Sequence, residues 1–424
     1  MGLGHAVAIG VGGMIGAGVF SMMGVAGELA GGAAFISFSL AGVLALLCAY
    51  SFGRLGARFP SAGGPVEYLV RGLGDNWLSG GLNITLWLGY VLALALYARA
   101  FSGYALTLLP DPGGAWLQPA IIVGVTLTFL VLNVIGAEAV GRVELLIVAA
   151  KILILAGFIT VALPLVDQSR VSPAAWPTAG QIGFTAAIVF LSYEGFGLIT
   201  NAAEDLADPG TNLPRALAIS VLVTLVIYAL VALSVTGILS PEEIRNAGEY
   251  ALAEAVRPAL GATGFSIMAI GALFSTASAI NATLYGGANV SFTIARYGGL
   301  PALFRRRLWQ RARGGLVFTA VLVALIGTLF DLEGIAIMGS AAFLVVYGAV
   351  NASHLRLLDE TGARRSAVAG GLLGCIVVLG LLLTYLAKER PPALGALAAL
   401  LIVGFGTDLA WCHYSKRLMS MRGD

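Results

Sequence analysis

Charge is scarce in this chain. Asp, Glu, Lys and Arg make up 11% of its 424 residues and hydrophobic residues 58%, against roughly 25% charged in a typical soluble domain. So few ions cannot cover a water-facing surface, so a soluble fold is excluded and an integral membrane protein is expected. Cysteine is equally sparse. Cys48, Cys375 and Cys412 are scattered in or at the ends of apolar segments, and His5, His354 and His413 are just as dispersed, so neither a disulfide framework nor a metal site is indicated. The net charge of +2 is too small to attract nucleic acid. A basic leader followed by a small-residue cleavage site is missing, and no cleavable signal peptide is expected. The glycines from Gly10 to Gly18 lack G-x-G-x-x-G spacing and follow no strand, which rules out a dinucleotide site. No nucleophile and base pair appears, and no enzyme activity is expected.

What the chain does have is apolar stretches about 20 residues long, almost end to end, each able to cross a hydrocarbon core about 30 Å thick as a helix. The fold class expected is therefore all-α, with about twelve transmembrane helices. They fall near 6–27, 32–53, 77–109, 115–136, 143–165, 181–204, 213–238, 262–295, 314–330, 334–354, 367–387 and 392–412. An even count places both termini on one side, and basic residues mark that side. Of the 24 cations, 17 lie in segments on the amino-terminal side and five opposite, the last two, Arg99 and Lys151, being within spans. The excess predicts cytoplasmic termini in a cytoplasmic (inner) membrane. The cluster from Arg305 to Arg313 reads as a topology signal near anionic lipid.

Two spans carry unsuitable centres. The first is interrupted by Gly12-Gly13-Met14-Ile15-Gly16-Ala17-Gly18 and the sixth by Ser192-Tyr193-Glu194-Gly195-Phe196-Gly197. Each glycine costs roughly 1 kcal/mol in a helix interior relative to alanine, and a carboxylate at bilayer depth about 2.5–3.5 kcal/mol or more. Both spans should break mid-membrane. If spans one to five and six to ten are two units, the odd number in each forces opposite orientation, and each broken span opens its unit. That is an inverted repeat, over about 6–165 and 181–356, within a ten-helix core covering 1–360. The last two spans, in 361–424, fall outside it as peripheral helices with a cytoplasmic tail. A broken helix offers free N–H groups at one end and free C=O groups at the other, which suits a zwitterion. The Gly16, Ala17 and Gly18 amides would cradle a carboxylate, and carbonyls around Phe190 to Tyr193 would receive an ammonium.

Longer motifs make the resemblance specific. Gly13-Met14-Ile15-Gly16-Ala17-Gly18-Val19-Phe20, Phe59-Pro60-Ser61-Ala62-Gly63-Gly64-Pro65, Asn201-Ala202-Ala203-Glu204-Asp205, Asn212-Leu213-Pro214-Arg215-Ala216 and Gly271-Ala272-Leu273-Phe274-Ser275 with Asn281 to Asn289 resemble the amino-acid permeases of the APC superfamily. Within that superfamily the likeness is greatest to the archaeal proton-coupled type. The resemblance covers about residues 6–360 and implies a leucine-transporter-type 5+5 fold and amino-acid uptake by alternating access. The substrate site it implies comprises Met14, Ile15, Gly16, Ala17, Gly18, Phe190, Ser192, Tyr193, Glu194 and Gly195.

Lys151 stands about eight residues into the fifth span, about 12 Å along the axis. A lysine deprived of water at that depth must be paired, neutral or both. The resemblance matches it to a lysine that occupies the place of a sodium ion in sodium-coupled relatives, so protons are the expected coupling ion and no other cofactor is needed. A fixed structural cation, pinned by Gly13, Ser275 or Ser278, is the competing role. Glu194 departs from the pattern of the archaeal proton-coupled type, which is apolar there. It could be a counter-charge to a substrate amine, a second protonatable group, or a neutral acid bonded to free backbone. Arg99 reads as a snorkelling side chain, and Glu138, Arg142, Glu144, Glu204, Asp205 and Arg215 as helix-end charges or an inner gate network. The expected function is proton-coupled symport of amino acids. The alternatives are an amino-acid or amine exchanger and a sensor that binds without transporting.

Overall fold

The computed structural model describes residues 1–16, 18–110, 114–135, 140–309 and 312–414, with backbone alone at 140–145, 307–309, 312–313 and 412–414. Ala17 and Glu138 lie outside the described residues, as do the side chains of Arg142 and Glu144. The chain is helical almost throughout. The first span is two helices, α1 (Leu3–Met14) and α2 (Gly18–Ala30), followed by α3 (Ala34–Arg58), α4 (Pro65–Leu73), α5 (Trp77–Thr107), α6 (Leu117–Ile135) and α7 (Val140–Ala162). After the short α8 (Gln168–Val171), the sixth span runs as α9 (Ala179–Val189), a 3-10 segment (Phe190–Phe196) and α10 (Gly197–Asn201). Then come α11 (Pro209–Ile238), α12 (Pro241–Ala247), α13 (Ala251–Glu254), α14 (Arg257–Arg296), α15 (Gly314–Leu329), α16 (Leu332–Arg356), α17 (Leu358–Thr361), α18 (Arg365–Glu389) and α19 (Pro391–Tyr414). Two short antiparallel strands, Arg307–Trp309 and Ala312–Arg313, are the one extended pairing among the described residues.

Among the described residues, ten stretches are long and apolar enough to cross a membrane. The first of these, Leu3–Arg58, contains both of the first two expected spans, and α15 is a shorter apolar helix of 16 residues. All twelve expected crossings are thus accommodated. Polar residues set the helix starts outside the apolar region. The Asn76 side chain accepts from the amides of Leu78 and Ser79 at 2.9 and 3.2 Å and so begins α5, and Ser240 with Glu243 forms a reciprocal cap on α12, each satisfying amides that a helix start leaves free. α14 bends at Gly261, whose φ of 61° few residues other than glycine adopt.

Burial separates the helices that sequence makes alike. In α5, 89% of the apolar window is inside the protein, against 17% in α6 and 22% in α18 and α19. α5 is therefore a central post, whereas α6, α18 and α19 turn large apolar side chains such as Leu127, Leu373 and Ile402 outward, where hydrocarbon replaces protein as the apolar partner. α19 nevertheless packs along α5, and its Asp408 is fully buried beside Gly80 and Gly299. The scattered cysteines partly converge: Cys48 of α3 and Cys375 of α18 are buried free thiols with sulfurs 3.7 Å apart.

Candidate substrate and coupling site

The first break leaves the last carbonyls of α1 without the amides that a continuing helix would supply. Side chains from three other helices take them. Lys151 of α7 donates to the Gly12 carbonyl at 2.8 Å, Tyr228 of α11 donates to the Met14 carbonyl, and Ser275 of α14 donates to the Ile15 carbonyl at 2.6 Å. The residue before the break is bonded in the ordinary helical way, Ile15 N to Val11 O at 2.8 Å. The Lys151 bond goes to Gly12, one residue before the expected Gly13, and Ser275 serves the Ile15 carbonyl. Lys151 and Ser278 both have further interactions. At 2% exposure Lys151 lies inside the protein, so its ammonium relies on such carbonyl dipoles where water is missing.

The second break differs from the unwound stretch that the sequence suggests. Phe190–Phe196 is a 3-10 helix of seven residues, longer than the three or four usual for that geometry, and such runs mark hinges or strained functional segments. It holds Phe190, Ser192, Tyr193, Glu194 and Gly195, all buried. Ser192 donates to the Gly18 carbonyl at 3.3 Å, and the Tyr228 hydroxyl, already on Met14, lies 3.2 Å from the Ser192 carbonyl. One phenol thus links both breaks.

Close approach explains the glycines. A Cβ on Gly13 would stand 3.1 Å from the Gly195 carbonyl oxygen and 3.2 Å from its Cα, and one on Gly18 would stand 2.8 Å from both the Ser192 Cβ and its carbonyl oxygen. A Cβ on Gly16 would run into Ala279 of α14. The sequence attributes Gly16 and Gly18 to a ligand approaching the backbone. Contact between the broken helices and α14 already requires small residues there.

The aromatic residues of the second break pack on α3, α11 and α16. Tyr193 donates to the Phe38 carbonyl of α3 at 2.9 Å and its ring lies 5.1 Å from that of Tyr228, while Phe190 meets Tyr347 of α16 edge to face at 6.0 Å. Glu194 is 1% exposed, and neither carboxylate oxygen has a hydrogen-bond partner among the described residues. Its neighbours are Tyr90 and Tyr97 of α5 and Tyr347.

On the side of the amino terminus a cavity of about 430 Å³ opens between α4, α10 and α14, lined by Glu67, Asn201, Glu204, Asp205, Arg296 and Tyr297 among others. Glu204 accepts from the Ala62 amide at 3.2 Å, and the terminal amine of Met1 donates to the Asp205 carbonyl at 2.8 Å. Tyr297 donates to Glu67, and burial together with that carboxylate pushes its hydroxyl up to about 12. On the opposite side Arg99 is no snorkel. It pairs with Glu249 at 3.2 Å and donates to the carbonyls of Phe330 at 2.8 Å and Gly327 at 3.3 Å.

Tyr228, Tyr90, Tyr347 and Asn201 escaped the sequence reading as site residues. One signal pointed to them: a phenol deep in an apolar span needs a polar partner for its hydroxyl, and Tyr228 stands in Leu225-Val226-Ile227-Tyr228-Ala229-Leu230.

Apolar crossings packed around two interrupted helices, with the interrupted backbone gripped by side chains, describe a multi-pass membrane transporter. Residues 2–405 match the amino acid permease family, and the chain belongs to that family. It is a permease and not an enzyme. An uncharacterized protein of Methanocaldococcus jannaschii is 44% identical over 384 residues, covering 90% of this chain and 87% of that protein. The inner membrane transport protein YbaT of Escherichia coli is 33% identical over 384 residues, covering 90% of this chain and 89% of YbaT. The branched-chain amino acid permease BcaP of Bacillus subtilis is 26% identical over 349 residues, covering 77% of this chain and 74% of BcaP.

Proposed function

We propose that this permease accumulates amino acids by proton-coupled symport, with alternating access around the two breaks. The backbone of Met14 to Gly18 and of Phe190 to Gly195 would hold the carboxylate and amine common to all amino acids, and Lys151 would carry the proton. One observation supports this reading above the rest: the buried Lys151 ammonium sits 2.8 Å from the Gly12 carbonyl, on the helix that ends at the first break. Loss of its proton removes the positive charge and weakens the charge-assisted bond that holds that carbonyl, so protonation and the position of the first break are linked. Gradient energy can then bias which side the site faces. The excess of cations on the amino-terminal side supports termini in the cytoplasm, and uptake then means movement toward the cavity lined by Asn201 and Glu204.

Proteoliposomes free of sodium test the coupling. An inward proton gradient should accelerate amino-acid uptake, and Lys151→Ala should stop gradient-driven accumulation. Robust accumulation by Lys151→Ala, or a strict sodium requirement in the wild type, would sink the assignment. Counterflow of labelled amino acid separates a transporter from a sensor.

A further inference from the structure

The Glu194 carboxylate is left over from that reading. It is almost fully buried and unpartnered, yet other unpartnered polar atoms surround it: Tyr90 Oη and both side-chain atoms of Asn201 have no hydrogen-bond partner among the described residues. These groups converge beside Gly197. A Cβ built there would lie 3.2 Å from Tyr347 Oη, 3.5 Å from Tyr90 Oη and 4.0 Å from Glu194 Oε1. Three oxygens from α5, α16 and the second break therefore lie within 4.0 Å of one point beside Gly197. Asn201 adjoins the same group, since a Cβ on Gly286 of α14 would lie 3.6 Å from its Nδ2 and 4.0 Å from the Tyr90 ring.

The carboxylate can only accept, the two phenols and the Asn201 amide can each present an acceptor oxygen as well as a donor, and a buried carboxylate without a counter-charge is costly. The complementary ligand is a cation with several N–H donors. The walls suit such a cation on an apolar stem. Tyr347 is ringed by Phe52, Phe196, Phe343 and Phe190 at centroid distances of 4.8, 5.4, 5.5 and 6.0 Å, and aromatic faces attract ammonium and guanidinium groups. The way out is acidic: the cavity that reaches Asn201 is lined by Glu67, Glu204 and Asp205 against Arg296. A bare proton would need neither the ring of acceptors nor the aromatic wall.

We infer that Glu194, Tyr90, Tyr347 and Asn201 form a subsite for the charged end of a cationic amino acid such as lysine or ornithine. The inference rests on the proposed amino-acid transport, because the breaks must hold the amino-acid core. The subsite lies on the amino-terminal side of the second break and selects the side chain.

Direct binding to the purified full-length protein tests it, with lysine compared against norleucine, its neutral near-isostere. Wild type should bind lysine more tightly, and Glu194→Gln should lower the ratio of lysine to norleucine affinity at least about tenfold, since hydrogen bonds to a buried charge exceed neutral ones. Gly197→Ala is the second variant: it leaves the carboxylate intact and places a methyl at the point of convergence, and it should lower the same ratio. A wild type that binds norleucine and shows no preference for lysine overturns this inference alone, and one that binds no amino acid overturns the transport reading beneath it. An unchanged ratio in Gly197→Ala, or equal loss of both ligands in Glu194→Gln, assigns Glu194 a structural role and also overturns the inference.

Discussion

The two ends of the transport core are closed to different degrees. At the end that carries the amino terminus, a cavity of about 430 Å³ reaches in to Asn201, with Glu67, Glu204, Asp205 and Arg296 among its lining residues. At the other end Arg99 is locked to Glu249 and to two backbone carbonyls, and Gln118 adds a 3.5 Å contact to the same carboxylate. Burial draws the Glu249 carboxyl above its usual range, with Arg99 opposing. A largely buried ion pair bridges one end, while charged residues line a cavity at the other. The cavity that reaches Asn201 thus opens on the amino-terminal side.

The contact shared by both ends is the place to break this arrangement most completely. Gly18→Val would force a branched side chain against the Ser192 backbone and the Tyr228 hydroxyl, 2.8 and 2.5 Å from the new Cβ. If the Gly18 amide cradles the substrate carboxylate, such a protein fails to bind. The structure adds a packing cost, since overfilling typically costs about 1–3 kcal/mol or more and the obstacle here includes backbone. The expected outcome is lost amino-acid binding together with a lower melting temperature. Wild-type binding by a monodisperse Gly18→Val protein would show that the breaks need not touch.

Arg99→Ala is the next largest change. It leaves Glu249 buried without its partner, a loss on the order of 2–5 kcal/mol where a buried pair is broken, reduced here because both side chains keep about a fifth of their surface exposed. Amide exchange over residues 244–254 should rise at least about tenfold. Glu249→Gln should do less, because a carboxamide still accepts from Arg99 and the Phe330 and Gly327 carbonyls still hold the guanidinium. Equal protection in wild type and Arg99→Ala would mean that apolar packing alone closes this end.

The same contrast shows what a sequence discloses about such a protein. Residues foreign to lipid gave themselves away: the glycines and Glu194 marked the breaks, and Lys151 marked the grip on the first, because each is expensive in an apolar helix. Amino-acid permease membership was legible from motifs such as Gly13 to Phe20. Orientation of the helices about their own axes was not. α5 and α6 are both apolar all round, so no polar face reveals that one is central and the other lies against lipid. Partners far apart in the chain were hidden too. Arg99 and Glu249 are 150 residues apart, and Tyr228 lies 214 from Met14. The 3-10 geometry of Phe190–Phe196 likewise depends on what packs around it. Asp408, in a helix that the sequence places at the periphery, is buried where α19 lies along α5.

The weakest test sharpens the account of the sealed end by contrasting Arg99 with a second ion pair. Arg245 of α12 lies 3.4 Å from Glu28 of α2, with side chains 65% and 49% exposed. Its position resembles that of a latch, since it ties the loop after α11 to the half-helix that follows the first break. Water and salt already solvate both charges, and exposed pairs of this kind contribute about 0–1 kcal/mol. Arg245→Gln should therefore shift the melting temperature by less than about 2 °C in a chain of this size and leave exchange over residues 244–254 unchanged. High salt should abolish whatever difference remains, because it screens exposed charges far more than buried ones. If Arg245→Gln instead raised exchange as much as Arg99→Ala, the sealed end would be held by its rim, and the burial of Arg99 and Glu249 would be a consequence of closure rather than its cause.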